Sequence, residues 1–184
     1  DRAPYLLWTR GATSFLTRAL SDRVTFTGAR ASTSYGEHVT GELVTGVADE
    51  ERIVVTGGAY GIEGAAHRGA LAAGGQTVAV LAGGLDRPYP AGHSELLNQI
   101  GDVGLLVSEV PPGSAPTRHR FIARNRLLAA LSGATVVPEA GVRSGSISTV
   151  LAARDLGRGV GAVPGPVTSA SSSGPNELIR QGLA

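Results

Sequence analysis

Three short stretches carry the residue types that hold phosphate: Thr27-Gly28-Ala29-Arg30, Thr56-Gly57-Gly58-Ala59-Tyr60-Gly61 and Arg143-Ser144-Gly145-Ser146. Each follows an apolar run and precedes a helix-length segment. Glycine lets a ligand approach the backbone, a helix start offers unpaired N–H groups, and the helix dipole adds partial positive charge there. Arg30 and Arg143 supply planar guanidinium forks that match phosphate oxygens. Gly28, Arg30, Gly57, Gly58, Gly61, Arg143, Ser144, Gly145 and Ser146 are therefore candidate phosphate ligands. A single glycine-rich turn is explained as readily by tight strand-to-helix packing; three with this chemistry on one sheet edge favour a ligand.

The segment Arg118-His119-Arg120-Phe121-Ile122-Ala123-Arg124-Asn125-Arg126 holds four arginines in nine residues. On a helix starting near Phe121, Arg124 and Arg126 diverge by about 200°, so they cannot share one phosphate. One faces the crevice and the other is free to pair with a carboxylate. Arg124, Asn125 and Arg126 join the candidates, since nonspecific DNA affinity comes from arginines that neutralise successive phosphates. A solvated basic face is the plainer alternative. Tyr60, Tyr89 and Phe121 each lie beside a glycine turn or the arginine cluster and could stack bases; core packing is the competing role for each.

Other chemistry is sparse. Glu63 and His67 are four apart and could share a helix face, as a helix-stabilising hydrogen bond or an acid–base couple. Glu139, just past a strand end, is the best single candidate for a catalytic carboxylate, yet it lacks an obvious partner. Asp86 reads as a turn residue. The GGxxG spacing of the second turn does not match the GxGxxG dinucleotide fingerprint, and a chain without lysine has no GxxxxGK[ST] nucleotide loop. No serine sits in a nucleophile-elbow pattern. With no cysteine and four scattered histidines, neither a disulfide framework nor a metal site is expected, and no cofactor is implied. All 16 basic residues are arginine, which a GC-rich genome explains without function. The formal net charge is +1, so nucleic-acid contact must come from local clustering and not from a global field.

These candidates need a scaffold that brings distant turns together. Apolar runs at 24–27, 53–56, 77–81, 105–107, 135–137 and 160–163, with a further one near 5–8, alternate with helix-length segments at 35–47, 62–73, 94–100, 123–131, 146–156 and 176–181. This is the alternation of βαβ units. Near-continuous apolarity predicts strands buried on both faces, and Ser94 and Asn176 are suited to cap their helices. The fold class is α/β, a doubly wound, mostly parallel sheet with helices on both faces. In such a sheet the turns after strand carboxyl ends share one edge, where the ligand crevice forms. The length, 184 residues, suits one domain over 1–184, with residues 1–20 as a lead-in. No apolar run approaches the roughly 20 residues that span a bilayer, and a cytoplasmic setting is expected. The opening Asp1, with no methionine in the chain, points to a piece of a longer protein.

Eight blocks in order resemble the DprA/Smf family. They are Thr27–Arg30 for its GSR turn, TGGAYGIEGAAHRG at 56–69 for SGGAxGIDxxAHxG, GGQTVAVLAGGLDRPYP at 74–90, SEVPPG at 108–113, FIARNRLLAAL at 121–131, RSGSIST at 143–149, AVPG at 162–165 and GPNELI at 174–179. The resemblance implies an extended Rossmann-like domain that binds single-stranded DNA, forms homodimers and assists loading of the RecA recombinase in transformation. It implies a phosphate contact for Arg30 and carries the glycine turn to Gly57, Gly58 and Gly61. The RNR and RSGS blocks carry to Arg124, Asn125, Arg126, Ser144, Gly145 and Ser146. Departures are Ala29 for serine, Glu63 for aspartate, Ile122 for proline, Pro138 in the VVEA strand end, and Ala91 where some members place a DNA-contacting lysine. Arg87 or Arg118 could replace that cation. The helical and winged-helix extensions of many members are absent from this chain. Two other readings remain: a sensor of a phosphorylated nucleotide, and a phosphoribohydrolase relative. The second is disfavoured because Ala152 stands where the PGGxGTxxE motif needs its glutamate.

Overall fold

The apolar runs form one seven-stranded sheet: β1 Trp8–Gly11, β2 Arg23–Phe26, β3 Ile53–Thr56, β4 Thr77–Leu81, β5 Leu105–Ser108, β6 Ala134–Val137 and β7 Gly159–Ala162. The structure, a computed structural model, describes residues 3–184. Strand order is β1-β5-β4-β3-β2-β6-β7, and every pairing is parallel except β1 on β5. Five helices connect β2 to β7 in turn, α1 Ser34–Asp49, α2 Ile62–Ala72, α3 Ser94–Val103, α4 Arg118–Ala130 and α5 Ser146–Asp155, and α6 Ser173–Arg180 follows β7. From β2 the chain winds outward through β3, β4 and β5, then returns along α4 to lay β6 on the other flank of β2. The carboxyl ends of β2 and β6 are therefore a topological switch point, where diverging connections leave a crevice. This is the expected doubly wound, Rossmann-like architecture. The edge strand lies at 8–11 instead of near 5–8, antiparallel to β5.

Strands β2 to β5 are buried along their whole length, as expected of largely apolar strands covered on both faces. One face sets Ile53, Val55, Val78, Val80, Leu105 and Val107 against Leu127 and Leu128 of α4. The opposite face sets Val24, Phe26 and Val54 against Val44 of α1 and Ala66 and Ala70 of α2, while Leu97 and Ile100 of α3 cover Ala79 and Leu106. Each fully buried side chain of this size contributes about 1.5–3 kcal/mol. Arg23 closes the opposite, amino end of the sheet: its guanidinium donates to the carbonyls of Phe15, Leu16, Arg18 and Leu131, tying the lead-in to the end of α4.

Helix starts differ from expectation where a cap was overlooked. Helix α4 begins at Arg118, not near 121–123, because the Thr117 hydroxyl accepts from Arg120 N at 3.3 Å. Ser94 does not cap α3; a short 3-10 turn, Ala91–His93, runs straight into the helix, and the Ser94 hydroxyl donates back to Ala91 O. Asn176 lies inside α6, where its amide holds both the N–H and the carbonyl of Gly165.

His67 is fully buried in α2, and its partner is not Glu63. Nδ1 lies 2.8 Å from Thr77 Oγ1, whose own proton goes to Val54 O. Nδ1 must therefore carry the proton, which leaves Nε2 bare in the core with no partner. Burial, then the nearby His93, Arg68 and Arg124 charges, push the imidazole pKa down to about 3. The unfolded chain takes up this proton near pH 6.5 and the folded chain resists it, so stability falls as pH drops below that value. Urea unfolding is expected to show a free energy about 2 kcal/mol lower at pH 5 than at pH 7.5 from this group. His67→Gln should flatten that dependence; an unchanged slope in the variant would contradict the assignment.

Candidate nucleic-acid interface

At the switch point opens a cleft of about 670 Å³. The turn after β2 contributes Gly28 and Arg30, the start of α4 contributes Arg118, Phe121, Ile122, Arg124 and Asn125, and the approach to α5 contributes Arg143, Ser144, Gly145 and Ser146. Tyr89 and Pro116 form its outer lip. The early start of α4, capped by Thr117 behind Pro116, places Arg118 in the cleft, where the sequence offers it only as a possible substitute for the cation missing at Ala91. Arg30, Arg118 and Arg143 are exposed, and among the described residues no ion pair involves them. At the head of α5, the Ser144 and Ser146 hydroxyls lie 2.7 Å apart, and the space beside Gly145 is open. Three guanidiniums without an ion pair among the described residues thus line the same cleft as the head of α5, an arrangement suited to an anion.

The inner wall is built differently. Arg124 is buried and donates Nη1 to Val80 O and Nε to Asn125 Oδ1, with Nη2 3.8 Å from Glu63. Burial lowers its pKa, Glu63 opposes this, and Arg30 adds to it. Glu63 in turn accepts from Thr27 Oγ1 and Ala59 N, both at 3.0 Å. A side chain at Gly57 would collide with the Arg124 guanidinium, so this glycine makes room for an arginine and not for a phosphate. Phe121 lies beneath both cations, 4.9 Å from Arg30 and 5.9 Å from Arg124, and meets Tyr89 edge-on at 5.9 Å. Asn125 spends its amide on Gly145 O and Ser148 Oγ, fixing the α5 turn to α4.

Five sequence candidates fall outside the cleft. Arg126 points away and pairs with Glu109 at 2.5 Å, the divergence expected of positions two apart on a helix. Gly58 and Gly61 take positive φ, 75° and 72°, and Gly61 packs against the backbone of Ala29 and Arg30, where Ile62 N donates to Ala29 O. The start of α2 is thus met by protein groups. Gly57 stands behind Arg124, and Tyr60 sits beyond the rim against His93. Glu139 is also committed: its carboxylate accepts from Thr33 N and Thr33 Oγ1 at the head of α1, at 2.9 and 2.6 Å. It holds a turn and stands clear of the cleft.

Arg124 and Arg143 should therefore fail in different ways when substituted. Arg124→Met leaves the Glu63 carboxylate buried without its cation and is expected to cost about 3–5 kcal/mol of stability. Arg143→Ala, on the surface, should stay within about 0.5 kcal/mol of the native chain. Urea denaturation of both variants measures this, and undiminished stability in Arg124→Met would contradict the structural role.

Three comparisons bear on this geometry. The sequence model of the DNA recombination-mediator protein A family matches residues 1–184. A curated DprA relative from Mycobacterium tuberculosis is 54% identical over 180 residues, 98% of this chain and 46% of the relative, so the chain spans about half of that protein's length. The X-ray structure of DprA from Streptococcus pneumoniae superposes with a TM-score of 0.91 at 36% identity, covering 99% of this chain and 66% of that one. A Helicobacter pylori DNA processing protein A structure, described for its single-stranded DNA binding mode, also gives 0.91, at 31% identity over 98% of this chain and 81% of that one. With the family model matching the whole chain and a relative 54% identical over 98% of it, this protein belongs to the DNA recombination-mediator protein A family.

Proposed function

We propose that this chain binds single-stranded DNA without strong sequence preference, holding the phosphodiester backbone in the switch-point cleft, and that it works as a binding module and not as an enzyme. The observation that carries this reading is the set of three exposed arginines, Arg30, Arg118 and Arg143, lining the same cleft as the head of α5 with no carboxylate bonded to them among the described residues. Guanidiniums left without internal partners suit an external polyanion, and phosphate contacts of this kind carry no base code. Ser144, Gly145, Ser146 and Gly28 line the same space and supply neutral donors. Glu63, the carboxylate that lines the cleft, already accepts from Thr27 Oγ1 and Ala59 N, so among the described residues the lining offers no uncommitted carboxylate as a general base. The single-stranded DNA binding of the Helicobacter pylori relative supports the same assignment.

The wider role we propose is that of the family resemblance: protection of DNA and assistance to RecA loading in cytoplasmic recombination, by a homodimer. The free edge of β7, beside the exposed Leu151, Leu156 and Ile179, is the surface that suits a second copy.

Fluorescence anisotropy of labelled oligothymidylate across a salt series tests the grip. Neutralising three phosphates on a single strand gives a log–log salt slope of about −2, and removing Arg30, Arg118 or Arg143 one at a time should reduce its magnitude by about 0.7. A flat salt dependence, or full displacement by micromolar nucleoside monophosphate, would overturn the reading in favour of a small-ligand site.

A further inference from the structure

We infer that the DNA strand leaves the cleft across the carboxyl edge of β3 and β4 and stacks a further base on Tyr60, outside the cleft. This rests on the single-stranded DNA reading above. Tyr60 is 47% exposed, yet it is held in place from several directions. Gly92 N donates to its phenol oxygen at 3.2 Å, and its ring meets His93 edge-on, with centroids 4.7 Å apart and planes at 69°. His93 is itself buried and fixed. Its Nδ1 donates to Gly58 O at 3.0 Å, and its Nε2 faces the Arg68 guanidinium at 3.4 Å.

Two glycines make this brace possible. A Cβ at Gly92 would lie 2.6 Å from the Tyr60 oxygen, and one at Gly64 would strike the His93 ring. A core tyrosine needs no such brace because neighbours enclose it, and an ordinary surface tyrosine has none. An aromatic face that is both open to water and already ordered loses little freedom when a flat ligand settles on it.

The position extends the cleft. Phe121, inside, meets Tyr89 at the lip, which is 49% exposed. Residues 90–92 then join Tyr89 to the hydroxyl of Tyr60. The route passes from the α4 side of the sheet to the α2–α3 side. Cations flank it: the Arg87 side chain is 78% exposed, with only a 4.0 Å approach to Asp86, and Arg68 is exposed. Aromatic faces interleaved with arginines are the pattern of a single-strand path. A mononucleotide would end in the cleft and never reach Tyr60; a strand would.

Binding of oligothymidylates of about four and about twelve nucleotides, both within the range of single-strand site sizes, separates the two subsites. Tyr60→Leu should weaken the longer probe about tenfold and leave the shorter one unchanged, while Tyr60→Phe keeps the ring and most of the affinity. In the native chain, 5-iodouracil placed at successive positions of the longer probe should crosslink to Tyr60 only from positions beyond the cleft. Equal loss for both probes, native affinity for the longer probe in Tyr60→Leu, or no crosslink to Tyr60 from any position would overturn the proposal. Failure of the native chain to bind either probe would bring down the single-stranded DNA reading and this inference with it.

Discussion

A guanidinium buried at the carboxyl edge of the sheet joins three elements that the sequence keeps far apart. Arg124 reaches from α4 to the Val80 carbonyl at β4 and to Glu63 of α2, through space left by Gly57. A charge in that position is tolerable only while every neighbour stays in place, because its desolvation is offset by Glu63 and by the carbonyl it bonds. The pair therefore fixes where α4 begins its descent along the sheet. With α4 fixed, Phe121 and Asn125 have determined positions, and Asn125 fixes the Gly145 turn in its turn. The cleft inherits its shape from an ion pair buried in its inner wall.

Around this neutralised centre the charges are left open. Arg124, Arg126, Glu63 and Glu139 pair with one another, with Glu109 or with protein donors, and among the described residues the rim arginines Arg30, Arg118 and Arg143 form no ion pair. The formal net charge is only +1, so positive potential at this edge comes from the local grouping of unpaired arginines and not from an overall excess of charge. Phe121 couples the two zones, since Arg30 from the rim and Arg124 from the interior both lie over its ring.

Much of this was legible in the residues. The period and apolarity of the runs at 53–56 and 77–81 reproduce β3 and β4 to the residue, because strands buried on both faces leave no other pattern. The convergence of the 27–30 and 143–146 turns followed from parallel topology alone. What stayed hidden was which glycine faces open space and which makes room for a neighbour. Gly57 and Gly145 look alike in sequence, yet one is filled by Arg124 and the other faces open space. Likewise Arg124, Arg126 and Arg118 form one basic run, and only the partners Glu63 and Glu109, 61 and 17 positions away, separate the structural arginines from the free one. Long-range pairing of this kind leaves no local signal, whereas the Thr117 cap that moves α4 forward was a local signal overlooked.

The central claim is a division of labour among arginines, and arginine side-chain NMR reads it directly. The Nε–H resonances of the native chain would be followed during titration with oligothymidylate. Large shifts at Arg30, Arg118 and Arg143, with Arg124 and Arg126 unmoved in their protein pairs, are the result this structure requires. Shifts centred on Arg124 or Arg126, with the three rim arginines silent, would contradict it.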